Sequence, residues 1–151
     1  MTAANWISDA QPGTVGGTVP ATLALTLGAP ASFGPFTPGV GKDYFASTTA
    51  TVTSTAGDAT LAVADPSPTA TGHLVNGGFS LPQPLLASGA TGGTYAPVGG
   101  SSAPTPLKAF NGPATNDSTT VSFKQTIGER DALRTGAYAK ALTFTLSVSA
   151  P

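Results

Sequence analysis

The side chains that could take part in catalysis are few and far apart in this sequence. His73 is the only histidine among 151 residues, and there is no cysteine. Thiol catalysis, thiolate metal sites and disulfides are therefore excluded, as is a metal site with two histidines from one chain. Ser101 and Ser102 follow two glycines, but the strand and helix that flank a nucleophile elbow are missing. A hydrolase pairing either serine with His73 is the least favoured interpretation, and the residues predict no enzyme.

The acidic residues suggest metal binding rather than acid–base catalysis. Glu129 is the only glutamate among seven acids, and no two acids are grouped as a glycosidase would need. Sandwich loops do supply oxygen-only calcium sites. The candidate calcium ligands are Asp43, Asp58, Asp65, Asn116 and Asp117. Because Asp and Asn also shape turns through their own backbone, the sequence predicts no cofactor, with calcium as the alternative.

Two further chemistries depend on side chains of other types. Tyr95, Tyr138 and Trp6 are candidates for a platform on which a sugar ring stacks. Lys124 and Lys140 lie on or beside predicted strands, where a buried lysine can form an amide crosslink with Asn or Asp. The last strand offers no Asn or Asp as a partner, so we expect both lysines on exposed strand faces.

Large apolar residues alternate with small polar ones along most of the chain. They occupy alternate positions at 142–148, 23–27, 61–63 and 121–123, which is the period of half-buried strands. No helical period intervenes. The pattern predicts an all-β fold: a two-sheet antiparallel β-sandwich, immunoglobulin-like or jelly-roll-like, with roughly seven to nine strands.

Glycine, proline and asparagine mark where these strands end. We expect residues 1–17 to be a leader or linker and residues 18–151 to form one sandwich domain. The predicted strands cover 19–27, 44–55, 59–64, 119–127 and a last strand from about Tyr138. Gly57-Asp58 is expected to join the second and third as a hairpin, and Asn76-Gly77 to form another turn. Residues 82–106 hold many prolines and glycines and predict the longest loop, with a short strand at 95–98.

The composition limits the partners and the location. Charged residues make up 9 % of the chain, against about a quarter in an average domain, and the net charge is −1. This leaves no electrostatic basis for binding nucleic acid or an anionic membrane. No apolar run reaches the roughly 18 residues that span a bilayer. Chains rich in Thr, Ala, Gly and Pro with little charge are typical of secreted proteins, so we expect a secreted or cell-surface location.

Three segments resemble β-sandwich modules of large secreted and cell-surface proteins of high-GC Gram-positive bacteria. They are residues 19–28 (VPATLALTLG), 54–61 (STAGDATL) and 133–146 (LRTGAYAKALTFTL). The closing Gly-x-Tyr-then-strand pattern is similar to that of WxL-like wall-binding domains. The resemblance implies an exported, non-catalytic module that spaces, presents or attaches other domains. It carries over no site residue, because Trp6 is followed by Ile7 and Ser8 and the Trp-x-Leu motif is absent.

Two functions of different classes therefore remain. The first is a structural or adhesive module that associates with other domains or like copies through a sheet edge, where unpaired backbone groups accept a strand. The candidate edges are the Thr-rich stretch 47–55 and the last strand, 139–149. The second is a carbohydrate-binding module attached to a secreted hydrolase, with Tyr95, Tyr138 or Trp6 stacking on the glycan.

Overall fold

The computed structural model describes residues 13–18, 22–89 and 94–148, which form strands, turns and loops. The strands are β1 (Leu23–Leu27), β2 (Lys42–Ser54), β3 (Ala59–Asp65), β4 (Val75–Asn76), β5 (Phe79–Ser80), β6 (Leu85–Ser88), β7 (Ala96–Pro97), β8 (Gly99–Gly100), β9 (Thr105–Phe110), β10 (Ala114–Ile127) and β11 (Thr143–Ser147). Within these ranges the structure has no helix long and apolar enough to cross a membrane.

The strands build two main sheets, which confirms the all-β prediction. In the first sheet the order is β1-β2-β10-β6-β7, and every neighbouring pair is antiparallel. In the second sheet β3 is central, with β11 on one side and β9 and β8 on the other; only the two-residue β3–β8 pairing is parallel. The expected turn at Asn76-Gly77 is present, because β4 and β5 form a small hairpin there.

The alternating pattern sets which side of each strand faces the core. Val121, Phe123 and Ile127 of β10 point inward and are almost fully buried, as the period of two predicts. Gln125 lies in the same inward row and is also fully buried. Its Nε2 donates to the carbonyl oxygens of Gln83 and Thr126, while its Oε1 has no hydrogen-bond partner among the described residues.

The expected hairpin through Gly57-Asp58 is wrong. β2 pairs with β1 and β10 in the first sheet, whereas β3 lies in the second sheet. The segment between them crosses the sandwich, and the buried Ala56 N–H donates to Ser54 Oγ within it. Both strands bury alternate residues against the same core from opposite sides, so local alternation alone looks the same for a hairpin and for this crossing.

Two other expectations need correction. Residues 82–106 are not one loop, because they contain β6, β7, β8 and the start of β9. The Thr-rich stretch 47–55 is not a free edge, because β2 has a hydrogen-bonded neighbour on each side. The short strand expected at 95–98 is present as β7. The strand expected at 119–127 begins earlier, at Ala114, and its pairing with β2 has a bulge between Ala114 and Asp117.

Candidate functional site

One side of the sandwich ends in two unprotected strands. Within the described residues β1 pairs only with β2, and β11 only with β3, so each is the edge of its sheet. The two strands lie near each other across the sandwich. Neither contains a charged residue, a proline or a bulge, which are the devices that prevent edge strands from pairing with other chains.

The apolar side chains of these two strands are only partly covered. The registers place Leu23 and Leu27 of β1 on the inner face, yet they are 42 % and 44 % exposed. Phe144 and Leu146 of β11 pack against the core and are half-buried. An inner face is normally sealed by the other sheet, so the core is open along this side, which we call the β1/β11 side.

The opposite side of the sandwich carries protective features instead. The first sheet ends there in β7, which has two residues, one of them Pro97. The second ends in the two glycines of β8 and in β9, which contains Pro106 and Lys108. Leu107 has no partner in β3, because Leu61 pairs with Lys108 and Ala62 pairs with Pro106, so β9 is bulged.

The part of β10 that extends beyond β6 is protected in a similar way. Its pairing with β2 shifts register between Ala114 and Asp117, and Asn116 adopts a positive φ of 46°. Lys108 reaches across from β9, with its Nζ 3.1 Å from Thr119 Oγ1 and 3.9 Å from Asp117 Oδ1. A bulge and two charged groups therefore cover this stretch.

A groove of about 860 Å³ opens at the Leu27 end of the β1/β11 side. One wall is the loop 28–38 after β1, and the other is the segment 133–142 before β11. Its floor consists of core side chains, among them Leu74, Leu85 and Phe123. We call this feature the seam groove.

Hydrogen bonds and ring contacts fix the two walls of the seam groove. In one wall Phe36 packs edge-on against Tyr44, with ring centroids 4.9 Å apart. The backbone N–H of Thr37 donates to Tyr44 Oη at 2.9 Å, and this bond holds the pKa of Tyr44 below its ordinary value. In the other wall the backbone N–H of Arg134 donates to Tyr138 Oη at 2.9 Å.

Lys140 is buried, so the expectation of an exposed strand face is wrong for this residue. Its side chain is 6 % exposed, and its Nζ lies 3.2 Å from Asp65 Oδ2. The ammonium also donates to the carbonyl oxygens of Thr69 and Ala70, both at 3.0 Å. All three of its donors thus have partners, and Lys140 connects the wall before β11 to the end of β3 and the loop after it. Lys124, by contrast, lies on the outer face of β10 as expected.

The Asp65 carboxylate is the centre of this connection. Burial by itself raises the pKa of Asp65, but the backbone N–H groups of Gly72 and Ser67 and the Lys140 ammonium together hold it below its usual value. The group is therefore a carboxylate at neutral pH, paired with a lysinium. An amide crosslink needs the neutral acid and amine with a proton-transferring carboxylate beside them, which the ionised pair does not provide.

The two candidate sugar-stacking residues that the structure describes, Tyr95 and Tyr138, are not brought together. Trp6 lies outside the described residues. Tyr138 is in the wall of the seam groove, which opens to the core, whereas Tyr95 packs beside Phe45 at 6.3 Å between ring centroids. Phe45 is 60 % exposed on the outer face of β2, and Lys124 Nζ lies 5.3 Å from the centre of the Tyr95 ring. The sequence contained a signal for this exposed ring, because Phe45 is out of phase with the inward-facing residues of β2.

The candidate calcium ligands are also dispersed. Asp43 lies on β2, and Asp117 of β10 pairs with Val52, which is nine residues further along β2. The two carboxylates are therefore separated by roughly 30 Å along the strand. Asp43 Oδ1 accepts a hydrogen bond from Thr126, and Asp65 is occupied by Lys140. Asp58 is partly buried in the segment that joins β2 to β3. No group of three or more metal-ligating His, Asp or Glu side chains occurs within the described ranges.

The candidate hydrolase residues likewise form no hydrogen bond with each other in the described part of the chain. His73 Nδ1 is hydrogen-bonded to the Leu81 carbonyl oxygen at 2.8 Å. Ser101 and Ser102 are exposed in the turn between β8 and β9. The β1/β11 side and its seam groove, rather than these serines, are therefore the candidate functional site among the described residues.

Comparison with protein-family models, with curated proteins and with solved structures found no match to this chain.

Proposed function

We propose that this chain is a non-catalytic structural or adhesive module of a secreted or cell-surface protein, and that it associates with like copies by strand pairing at the β1/β11 side. The observation that carries the proposal is the pair of neighbouring edge strands without charge, proline or bulge. Such strands offer unpaired backbone donors and acceptors to another chain. The half-exposed Leu23, Leu27 and Phe144 add apolar area that pairing would bury.

The distribution of protective features supports this choice of surface. Proline, lysine, a bulge and very short strands are found on the other side of the sandwich. A module under pressure to remain monomeric would need such features on both sides. Their restriction to one side favours association through the other.

The experiment is sedimentation velocity of the full chain over a wide range of concentrations. We expect the native chain to grow with concentration and the double variant Thr26→Lys/Thr145→Lys to remain monomeric, because both exposed threonines lie on the edge strands. The matched control is Ser47→Lys/Ser118→Lys, which adds the same charge to exposed positions of β2 and β10, outside the two strands of the β1/β11 side. A native chain that is monomeric throughout, or a control that dissociates equally, would contradict the proposal.

Glycan binding is the second candidate function, and one observation favours it. The exposed Phe45 and the partly buried Tyr95 form a ring pair on the outer face of the first sheet, among Thr and Ser hydroxyls. An exposed ring offers the flat apolar surface that a pyranose covers, and Lys124 and Asp43 lie nearby in register as hydrogen-bonding groups. A glycan-binding screen in which native binding is lost in Phe45→Ser would support this function, and binding unaffected by that change would exclude this surface.

A further inference from the structure

The seam groove is suited to an apolar, extended peptide. Its walls carry Phe33, Phe36 and Tyr138, and its floor is the apolar core. The groove has only two charged lining residues, both cations, among the residues the structure describes: Arg134 and Lys140. Lys140 is already paired with Asp65, whereas Arg134 is exposed and lies 4.2 Å from the centre of the Phe79 ring. An occupant should therefore bring large apolar side chains and one carboxylate.

Residues 1–12 of this chain have that composition. They contain Trp6 and Ile7 side by side, and Asp9 is their only charged side chain. Trp6 is the only tryptophan of the protein. The spacing of two residues between Ile7 and Asp9 suits an extended segment, in which alternate side chains lie on the same face. Residue 7 in the apolar groove would then place Asp9 toward the exposed Arg134.

The seam groove and the chain that enters β1 lie at opposite ends of the same edge strand. Residues 13–18 are exposed, with Val15 fully so, and they lead to the Leu23 end of β1. The seam groove lies at the other end of β1, beside Leu27, roughly 13 Å away. In copies that associate along their edge strands, the chain entering β1 of one copy can therefore meet the groove of the next, which is a head-to-tail arrangement.

Resting on the proposed self-association, we infer that residues 1–12 of one copy bind in the seam groove of the next, with Ile7 and Asp9 toward the wall 133–142 and Trp6 toward the wall 28–38. This contact joins two different surfaces, so it extends into chains or rings, or closes as a dimer when two copies exchange their segments. Aromatic side chains seated in apolar pockets are the contacts that contribute most to such interfaces.

The test uses the fluorescence of Trp6, which reports on this segment alone. The native full chain is held at low concentration while a silent acceptor, the full chain with Trp6→Ser and Ile7→Ser, is added. We expect the emission to move to shorter wavelength and iodide quenching to fall as acceptor grooves become available. Acceptors that also carry Ala137→Arg or Ser32→Arg, one in each wall, should need about tenfold or more higher concentration.

The outcomes separate this inference from the proposed function. A tryptophan that is shielded even at the lowest concentration and unaffected by acceptor means that the groove is filled by its own chain, which overturns the inference. A tryptophan that stays exposed while the Trp6→Ser/Ile7→Ser variant still self-associates in sedimentation also overturns the inference, and leaves edge pairing standing. If no sample self-associates, both are wrong. Circular dichroism of each wall variant verifies folding, and two walls provide two independent variants.

Discussion

The two sides of this sandwich solve the problem of exposed strand edges in opposite ways. On the side of β7, β8 and β9 the sheets end in strands of two residues, in prolines, and in a bulged strand with a lysine. On the β1/β11 side they end in five-residue strands made of Leu, Ala, Thr, Phe and Ser. Since unpaired backbone groups attract other chains equally on both sides, this difference is the basis of the proposal that like copies pair at the β1/β11 side.

The two sides also differ in how the last strand is held. β9 pairs with β3 and reaches Thr119 of β10 through Lys108, whereas β11 is preceded by Lys140, whose ammonium is bound to Asp65 and two loop carbonyls. A buried ion pair contributes little net stability compared with apolar packing, but removing one partner is costly. The pair is therefore an attachment of the β11 side in addition to the ladder of β11 with β3.

The largest effect is expected for Lys140→Met. This change leaves the Asp65 carboxylate buried without its cation and should lower the free energy of unfolding by about 3–5 kcal/mol, measured by urea denaturation at neutral pH. The control Lys124→Met removes a lysine from the outer face and should cost less than about 1 kcal/mol. Equal losses would mean that the ion pair does not hold the β11 side. An intact mass of the native chain that is lower than the sequence mass by one water would mean that Lys140 and Asp65 are joined by an amide.

Acid should weaken the same side. The pKa of folded Asp65 lies below that of the unfolded chain, about 3.9, so the contribution of this carboxylate is complete above that pH and is lost as the pH falls through the lower, folded value. Asp65→Asn should be less stable at neutral pH and should show a smaller further loss below about pH 4. An acid profile of Asp65→Asn identical to that of the native chain would refute this assignment.

The protective features can be removed to sharpen the comparison. In the Thr26→Lys/Thr145→Lys background, which blocks the β1/β11 side, the further changes Pro106→Thr and Lys108→Thr take the proline and the charge out of β9. We expect concentration-dependent association to reappear in sedimentation, at higher concentrations than in the native chain because the bulge remains. A quadruple variant that stays monomeric would show that proline and lysine are not what prevents pairing there.

The smallest effect is expected for Phe45→Ser. The ring is 60 % exposed on the outer face of an interior strand, so the stability should change by no more than about 0.5 kcal/mol and self-association should be unaltered. Phe144→Ala, which removes a half-buried ring of β11, should lower the free energy of unfolding several times more, as measured by thermal denaturation. Comparable losses for the two rings would mean that the outer face contributes to packing.

Part of the fold could be predicted from the sequence alone. The alternation at 121–127 and 142–148 identified the inward faces of β10 and β11, since the period of two is a property of the extended backbone. The same pattern did not show that Gln125 is buried, because its burial depends on carbonyl groups of Gln83 and Thr126 that receive its amide. Nor did it show Lys140 buried, because the carboxylate that pairs with it is 75 residues away in the sequence.

The sequence by itself determined the fold class, the inward faces of β1, β3, β10 and β11, the absence of thiol chemistry and the low charge, because each of these follows from residue type and from the local geometry of the backbone. Only the tertiary structure decided that β2 and β3 belong to different sheets, that β1 and β11 are the unprotected edges, and that a groove opens beside them. These features depend on which strands become neighbours, and neighbours are chosen by packing against a shared core rather than by any pattern within one strand.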